Sequence, residues 1–272
     1  MKKIITGFFL FALLGQTFAQ VKERSNEIGI FLGGSFYIGE LNPAPSGFFD
    51  GFTKPAGGVL FRHNFSERFA LRANLLFGTL EGDDSYSNVL ASRDRNLSFK
   101  SPVDELSVQW EFNFLPYAIG DKKHTFTPYI FIGLGVFKFN PQASVNGNWV
   151  ALQPLHTEGQ GKAYNLIQPS IPFGVGIKMS FSKTIGLGFE WGMRKTFTGY
   201  IDDVHGTYPN FGQLAASHGI MAAALSDRSL STDPIDDVGR QRGNNTTDWY
   251  SFAGVTLTFK LKGKHTSCYS FH

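Results

Sequence analysis

Leu106-Ser107-Val108-Gln109-Trp110-Glu111-Phe112-Asn113-Phe114 alternates apolar and polar residues without an error. Period two puts every second side chain on the same face of a strand. One face of this strand is therefore apolar and aromatic, and the other carries Ser107, Gln109, Glu111 and Asn113. Seven further segments repeat the pattern. Residues 27–38 set Ile28, Ile30, Leu32, Phe36 and Ile38 against Gly29, Gly33 and Ser35, and residues 56–65 set Val59, Phe61 and Phe65 against Gly58, Arg62 and Asn64. Residues 69–79 oppose Leu71, Leu75 and Phe77 to Arg72, Asn74 and Gly78. Residues 126–139 are ambiguous in phase, because large apolar side chains fall on both faces. Residues 166–181 carry Gln168, Ser170 and Lys178 on their polar face, and 184–197 carry Glu190 and Arg194 on theirs. The eighth segment, 249–261, alternates Ala253, Val255, Leu257 and Phe259 with Phe252, Gly254, Thr256 and Thr258.

The connections sharpen this reading. The first, third, fifth and seventh links are long, at 39–55, 80–96, 140–165 and 198–248. The second, fourth and sixth are short, at 66–68, 115–125 and 182–183. Long links on one side and tight turns on the other are the habit of outer-membrane barrels with an even strand count. A soluble sandwich has no reason to alternate so. The seventh link holds one helix-like stretch at 211–225. The expected fold is all-β: an eight-stranded antiparallel transmembrane barrel with long extracellular loops and short periplasmic turns. Aromatic residues fall at both strand ends. Tyr37, Phe139, Phe197, Tyr200, Trp249 and Tyr250 mark the outer end, and Phe65, Phe69, Phe114, Tyr117, Phe126, Tyr129, Phe181 and Phe259 the inner one, as two girdles would.

The N-terminus reads as an export signal. Met1-Lys2-Lys3 is basic, Ile4 to Leu14 is apolar, and Thr17-Phe18-Ala19 places small residues for a signal peptidase. Cleavage is expected between Ala19 and Gln20, giving a signal at 1–19, a barrel at 20–261 and a short periplasmic tail at 262–272. Charged residues are only 17% of the chain, below the roughly 25% of soluble proteins. A mean hydropathy of -0.11 argues against a helical membrane protein, and no later run approaches the length of a spanning helix. The formal charge of +3 falls further when Lys2 and Lys3 leave, so no nucleic-acid partner is expected. Cys268 has no partner for a disulfide.

Eight strands leave an interior about filled by side chains. The polar faces bring Arg62, Arg72, Glu111, Lys178, Glu190 and Arg194 into it, with Gln109 and Gln168. Buried charges must pair, so a salt-bridge network is expected, uniting Glu111 and Glu190 with Arg72 and Arg194. Its role would be to plug and rigidify the lumen rather than to conduct. The acidic pairs Asp83-Asp84, Asp202-Asp203 and Asp236-Asp237 are read as solvated turns, although Asp202-Asp203 with His205 is the best-placed set for a hard cation. Of the histidines only His63 lies in a strand, on the lipid face with no acid partner, and no GxSxG occurs. No catalytic residue, cofactor, metal site or small-molecule substrate is expected.

Several phrases resemble a Bacteroidetes family. They are Glu27-Ile28-Gly29, Tyr37-Ile38-Gly39-Glu40-Leu41-Asn42, Arg95-Asn96-Leu97-Ser98-Phe99, Glu111-Phe112-Asn113-Phe114, and Thr157-Glu158-Gly159-Gln160-Gly161. The most distinctive block is Glu190-Trp191-Gly192-Met193-Arg194-Lys195-Thr196-Phe197-Thr198 followed by Tyr200-Ile201-Asp202-Asp203-Val204. Together these look like the PorG-like outer-membrane proteins of the type IX secretion system. The chain departs from the family phrases at His156, which stands where Gly is usual, and at Gly199, which stands where Asp is usual. The resemblance implies a non-enzymatic part in protein export, with the barrel in outer-membrane lipid and tied to a periplasmic ring made of a lipoprotein and its partner. The expected ring contacts are 20–26, 115–125 and 260–272. A competing reading is a surface adhesin that acts through its outer loops.

Overall fold

The computed structural model describes residues 24–42, 52–230 and 238–262. The expected signal with its Ala19–Gln20 junction, the pair Asp236-Asp237, and the tail beyond Lys262 with Cys268 lie outside the described residues. Among the described residues ten strands form: β1 Ser25–Ile38, β2 Lys54–Asn64, β3 Phe69–Asp83, β4 Ser98–Asn113, β5 Phe126–Phe139, β6 Gln142–Val145, β7 Asn148–Ala151, β8 Ile167–Ser180, β9 Ile185–Thr196 and β10 Trp249–Leu261. The eight long ones pair antiparallel in chain order, and β1 pairs with β10, which closes a barrel. The hairpin β6–β7 joins the rim of β4 through Lys100↔Gln142.

The register sets the shape. Ile38 pairs with Trp249, Trp249 with Lys195, and Lys195 with Ile171. The β5–β8 register carries the row to Leu134, and from there it runs through Val108, Ala73 and Phe61 to Ile28. One circuit from Ile38 thus returns to β1 ten residues lower. That stagger across eight strands tilts them by about 40°, which keeps the bore narrow enough for side chains to fill. The β5–β8 ladder lapses only between Ile132↔Phe173 and Gly135↔Ser170, opposite Pro172, which has no N–H to donate.

Alternation in sequence becomes inside and outside. In β4 the residues Glu105, Ser107, Gln109, Glu111 and Asn113 are buried, while Leu106, Val108 and Trp110 are exposed at 61%, 47% and 54%. The same outward face carries Ile28, Ile30 and Leu32 on β1, Ile130, Ile132, Leu134 and Val136 on β5, and Phe189 on β9. An unbroken apolar belt on the outside of a closed barrel is the surface a bilayer core requires. Lys138 and Asp104, paired in register, stand at the rim of that belt nearest the long links. The ambiguous fifth segment resolves with Thr127, Tyr129, Phe131, Phe137 and Phe139 inward.

The girdle expectation needs correction. Tyr37, Phe139, Tyr250 and Tyr129 point into the lumen, and Tyr117 is buried beneath it. Only strand parity separates them from true girdle residues such as Phe114, Phe126, Phe181, Phe259, Phe197 and Trp249.

The four long links gather at one end of the barrel and the three short ones at the other. The third link is shorter than expected, because β3 runs on to Asp83 and β4 begins at Ser98; it folds into α1, Leu90–Arg95. The fifth contains the β6–β7 hairpin, turned by Asn146-Gly147 with both φ positive, the type I′ signature. The expected single helix at 211–225 is two, α2 Phe211–His218 and α3 Ile220–Ser226, because Gly219 at φ 91 breaks it. The two positions that depart from the resembling phrases also have local settings. His156 takes a left-handed φ of 50, a conformation in which Gly is unstrained. Gly199 is crowded so closely that an added Cβ would lie 2.2 Å from Thr246 O and 2.3 Å from His205 Nδ1.

Candidate functional site

The lumen holds a dense set of ionisable groups. Glu111 from β4 is its hub. Its carboxylate lies 2.8 Å from Arg62 Nε, 3.1 Å from Arg72 Nε and 2.5 Å from Lys178 Nζ. The two Nε contacts are ion pairs off the line of a hydrogen bond, while Lys178 Nζ donates to it. Arg62 Nη1 donates to Glu27 Oε2 at 2.7 Å, and Arg72 Nη1 donates to Glu190 Oε2 at 2.5 Å. Gln109, Asn113 and Tyr129 fill the remaining valences through Arg72, Lys178 and Glu190. A second group sits nearer the long-link end, where Arg194 Nε and Tyr250 Oη donate to Glu105 Oε2 at 3.0 and 2.8 Å. Aromatic faces cover the cations: Arg72 lies 5.1 Å from the Phe131 ring centre, Lys178 4.2 Å from Tyr129 and Arg194 4.7 Å from Phe252.

All six residues picked from the sequence, Arg62, Arg72, Glu111, Lys178, Glu190 and Arg194, are buried in the lumen. Arg72 joins Glu111 to Glu190 as expected. Arg194 does not join them, because Glu105 lies beside it. Glu105 and Glu27 were missed, although both share strand parity with residues already assigned inward. With them, four cations face four carboxylates, and the lumen is electrically balanced. Gln168 lies at the rim instead, bonded to Asn165 O.

Both mouths are closed. At the long-link end Ile201 and Val204 pack with Phe31, Leu76, Phe137 and Phe252 in one apolar cluster. At the other end the 114–125 link folds across the opening. A Cβ on inward-facing Gly186 would touch Ile119 Cδ1 at 2.8 Å and Tyr117 Oη at 2.9 Å, so both side chains reach the bore.

Neither of the two acidic pairs among the described residues is a solvated turn. Asp202 and Asp203 are 1% and 0% exposed, and Asp84 is buried against Arg95 at 2.7 Å. Nor do Asp202, Asp203 and His205 converge. Tyr37 Oη lies 2.7 Å from Asp202 Oδ2 and 2.8 Å from Asp248 Oδ1, and one phenol proton serves only one of them at a time. Asp203 turns instead to Tyr164 Oη at 2.7 Å and to Thr157. His205 gives its backbone N–H to Glu158 and lays its ring near Tyr200. Burial pushes Asp202 and Asp248 well above the usual carboxylate range, helped at Asp202 by Glu40 and at Asp248 by Asp202 and Glu40, and burial pushes Asp203 to about 6 despite Arg242. Glu40, Asp202 and Asp248 bring carboxylate oxygens within 4.8 Å of one another, as do Glu67 and Asp121 with His124 Nδ1 or Nε2. His63 faces outward and bonds to Asn26.

The sequence model of a family described as a domain of unknown function (DUF6089) matches residues 2–219. The chain belongs to that family. No curated protein matches the DUF6089 chain. Solved structures with a similar fold include the Neisserial surface protein A, at 6% identity and a TM-score of 0.43 over 88% of this chain and 100% of that one. The attachment invasion locus protein of Yersinia pestis, solved with the heparin analogue sucrose octasulfate, aligns at 8% identity and a TM-score of 0.41 over 88% and 100%. The N-terminal β-barrel domain of Pseudomonas aeruginosa OprF aligns at 10% and 0.37 over 89% and 100%. Closure into eight strands rests on the DUF6089 chain's own pairing.

Proposed function

We propose that this protein is a non-enzymatic outer-membrane component of the type IX protein secretion machinery that ties a periplasmic ring complex to the outer membrane. The observation that carries the reading is a barrel with an apolar outer belt and a lumen filled and closed at both mouths. Such a body anchors in lipid and offers solutes no path, so its work falls to its two end surfaces. The long links face the exterior and the short turns the periplasm, as in barrels of this type. The secretion role itself rests on the resemblance to PorG-like proteins. Its most distinctive phrase supplies Glu190 and Arg194 to the lumen and Ile201, Asp202 and Val204 to the closed mouth.

The test is deletion of the gene, with export of proteins carrying type IX C-terminal signals as the readout and plasmid-borne barrel as control. Loss of export rescued by the plasmid supports the reading. Normal export without the barrel refutes it and moves attention to the long links.

A further inference from the structure

Among the described residues the short-turn end carries an unbalanced charge. Links 65–68, 114–125 and 181–184, with the end of β10 at 260–262, present Arg68, Lys122, Lys123, Lys183, Lys260 and Lys262. Against these six cations stand Glu67 and Asp121. Both carboxylates are turned toward His124, at 3.6 and 3.2 Å. Lys122, Lys123, Lys183 and Lys262 are exposed. The lumen above is balanced, so nothing inside the barrel offsets this field.

The 114–125 link is also built rather than loose. Tyr117 N donates to Glu67 O, Gly120 N donates to Ser180 Oγ, and Lys260 Nζ donates to Ile119 O. Gly120 needs its φ of 88, and a Cβ there would lie 2.5 Å from Lys183 O. A link leaving β4 thus touches the β2–β3 turn, the β8–β9 turn and β10, which means it lies across the mouth. Lipid headgroups reach the circumference of a barrel; a link held across its mouth faces the aqueous side. A pre-ordered cationic surface there steers and holds a body of opposite charge.

We infer that the short-turn end is a docking face for an acidic protein surface. Resting on the secretion reading above, the ring complex presents that surface. The pairing is electrostatic, so it weakens as salt screens it.

The experiment uses full-length tagged barrel in the deletion strain as wild type, as Lys122→Glu/Lys123→Glu/Lys183→Glu and as Lys122→Arg/Lys123→Arg/Lys183→Arg. Heat-modifiable gel mobility confirms that each is folded. Purified barrels in phosphatidylcholine nanodiscs are then titrated with purified ring complex at 50 and 300 mM NaCl, while export is measured separately. The expected result is binding by wild type and the arginine variant, about tenfold weaker binding by the glutamate variant, and weakening of wild type at the higher salt. Equal binding by the glutamate variant, no binding by wild type, or binding that appears only with phosphatidylglycerol in the disc overturns the inference. Export answers the other question: an intact requirement for the barrel with charge-independent binding leaves the secretion role standing and removes only this docking face.

Discussion

Glu111→Gln is the sharpest perturbation of the lumen. The substitution keeps size and shape but removes a charge that faces Arg62, Arg72 and Lys178 at 2.8, 3.1 and 2.5 Å. Arg62 retains Glu27 and Arg72 retains Glu190, whereas Lys178 retains the Asn113 amide oxygen and the Tyr129 ring face, neither of them a charge. The amide also aims N–H donors at cations that cannot accept. Removing one partner of a buried ion pair costs about 3–5 kcal/mol, and two of the three cations here keep a second carboxylate, so a loss of about 4 kcal/mol is expected. Urea unfolding of the refolded barrel in lipid vesicles, followed by tryptophan fluorescence, measures it. Adding Lys178→Met to Glu111→Gln removes the worst-served cation and restores about half of the loss, since the two sites are coupled. A Glu111→Gln loss below about 1 kcal/mol, or a double variant no better than the single one, refutes the hub argument.

Two further outcomes follow from the same geometry. The barrel reconstituted in planar bilayers shows no steady single-channel conductance, because Ile201 and Val204 close one mouth and Tyr117 and Ile119 the other; a stable open level in wild-type protein contradicts the sealed lumen. The closed mouth is also pH-sensitive. Asp203 is raised to about 6 from 3.8, so the folded link binds a proton that the unfolded chain has already released. The stabilisation by that proton is complete below about 3.8 and is lost as pH rises through about 6. Asp202 and Asp248 shift in the same direction. Protease nicking within 198–248 is therefore faster at pH 8 than at pH 5, and Asp203→Asn reduces the difference; a rate that is flat or falls with pH contradicts the assignment.

The barrel was legible in the chain because period two is a local property. Lipid outside and side chains inside impose opposite demands on neighbouring residues of every strand, and Leu106 to Phe114 carries that contrast in one line. The alternation of long and short links is equally local, and it told the two ends of the barrel apart. The inward charges followed from parity alone, and Glu105 and Glu27 were readable by the same rule. What parity cannot state is which charges meet. Arg194 lies beside Glu105 rather than Glu111 because a ten-residue stagger slides distant strands past one another, and that stagger belongs to the closed sheet, not to any one segment. The aromatic residues at strand ends divided for the same reason: Trp249 faces out and Tyr250 in, one step apart. The acids were misread more deeply. Asp202 and Asp203 look like any exposed turn, since their burial comes from Tyr37, Tyr164 and Thr157, which lie 39 or more residues away in sequence. Strand, face and end are settled between near neighbours; the pairing of charges and the sealing of the mouths depend on contacts that exist only after the barrel has closed.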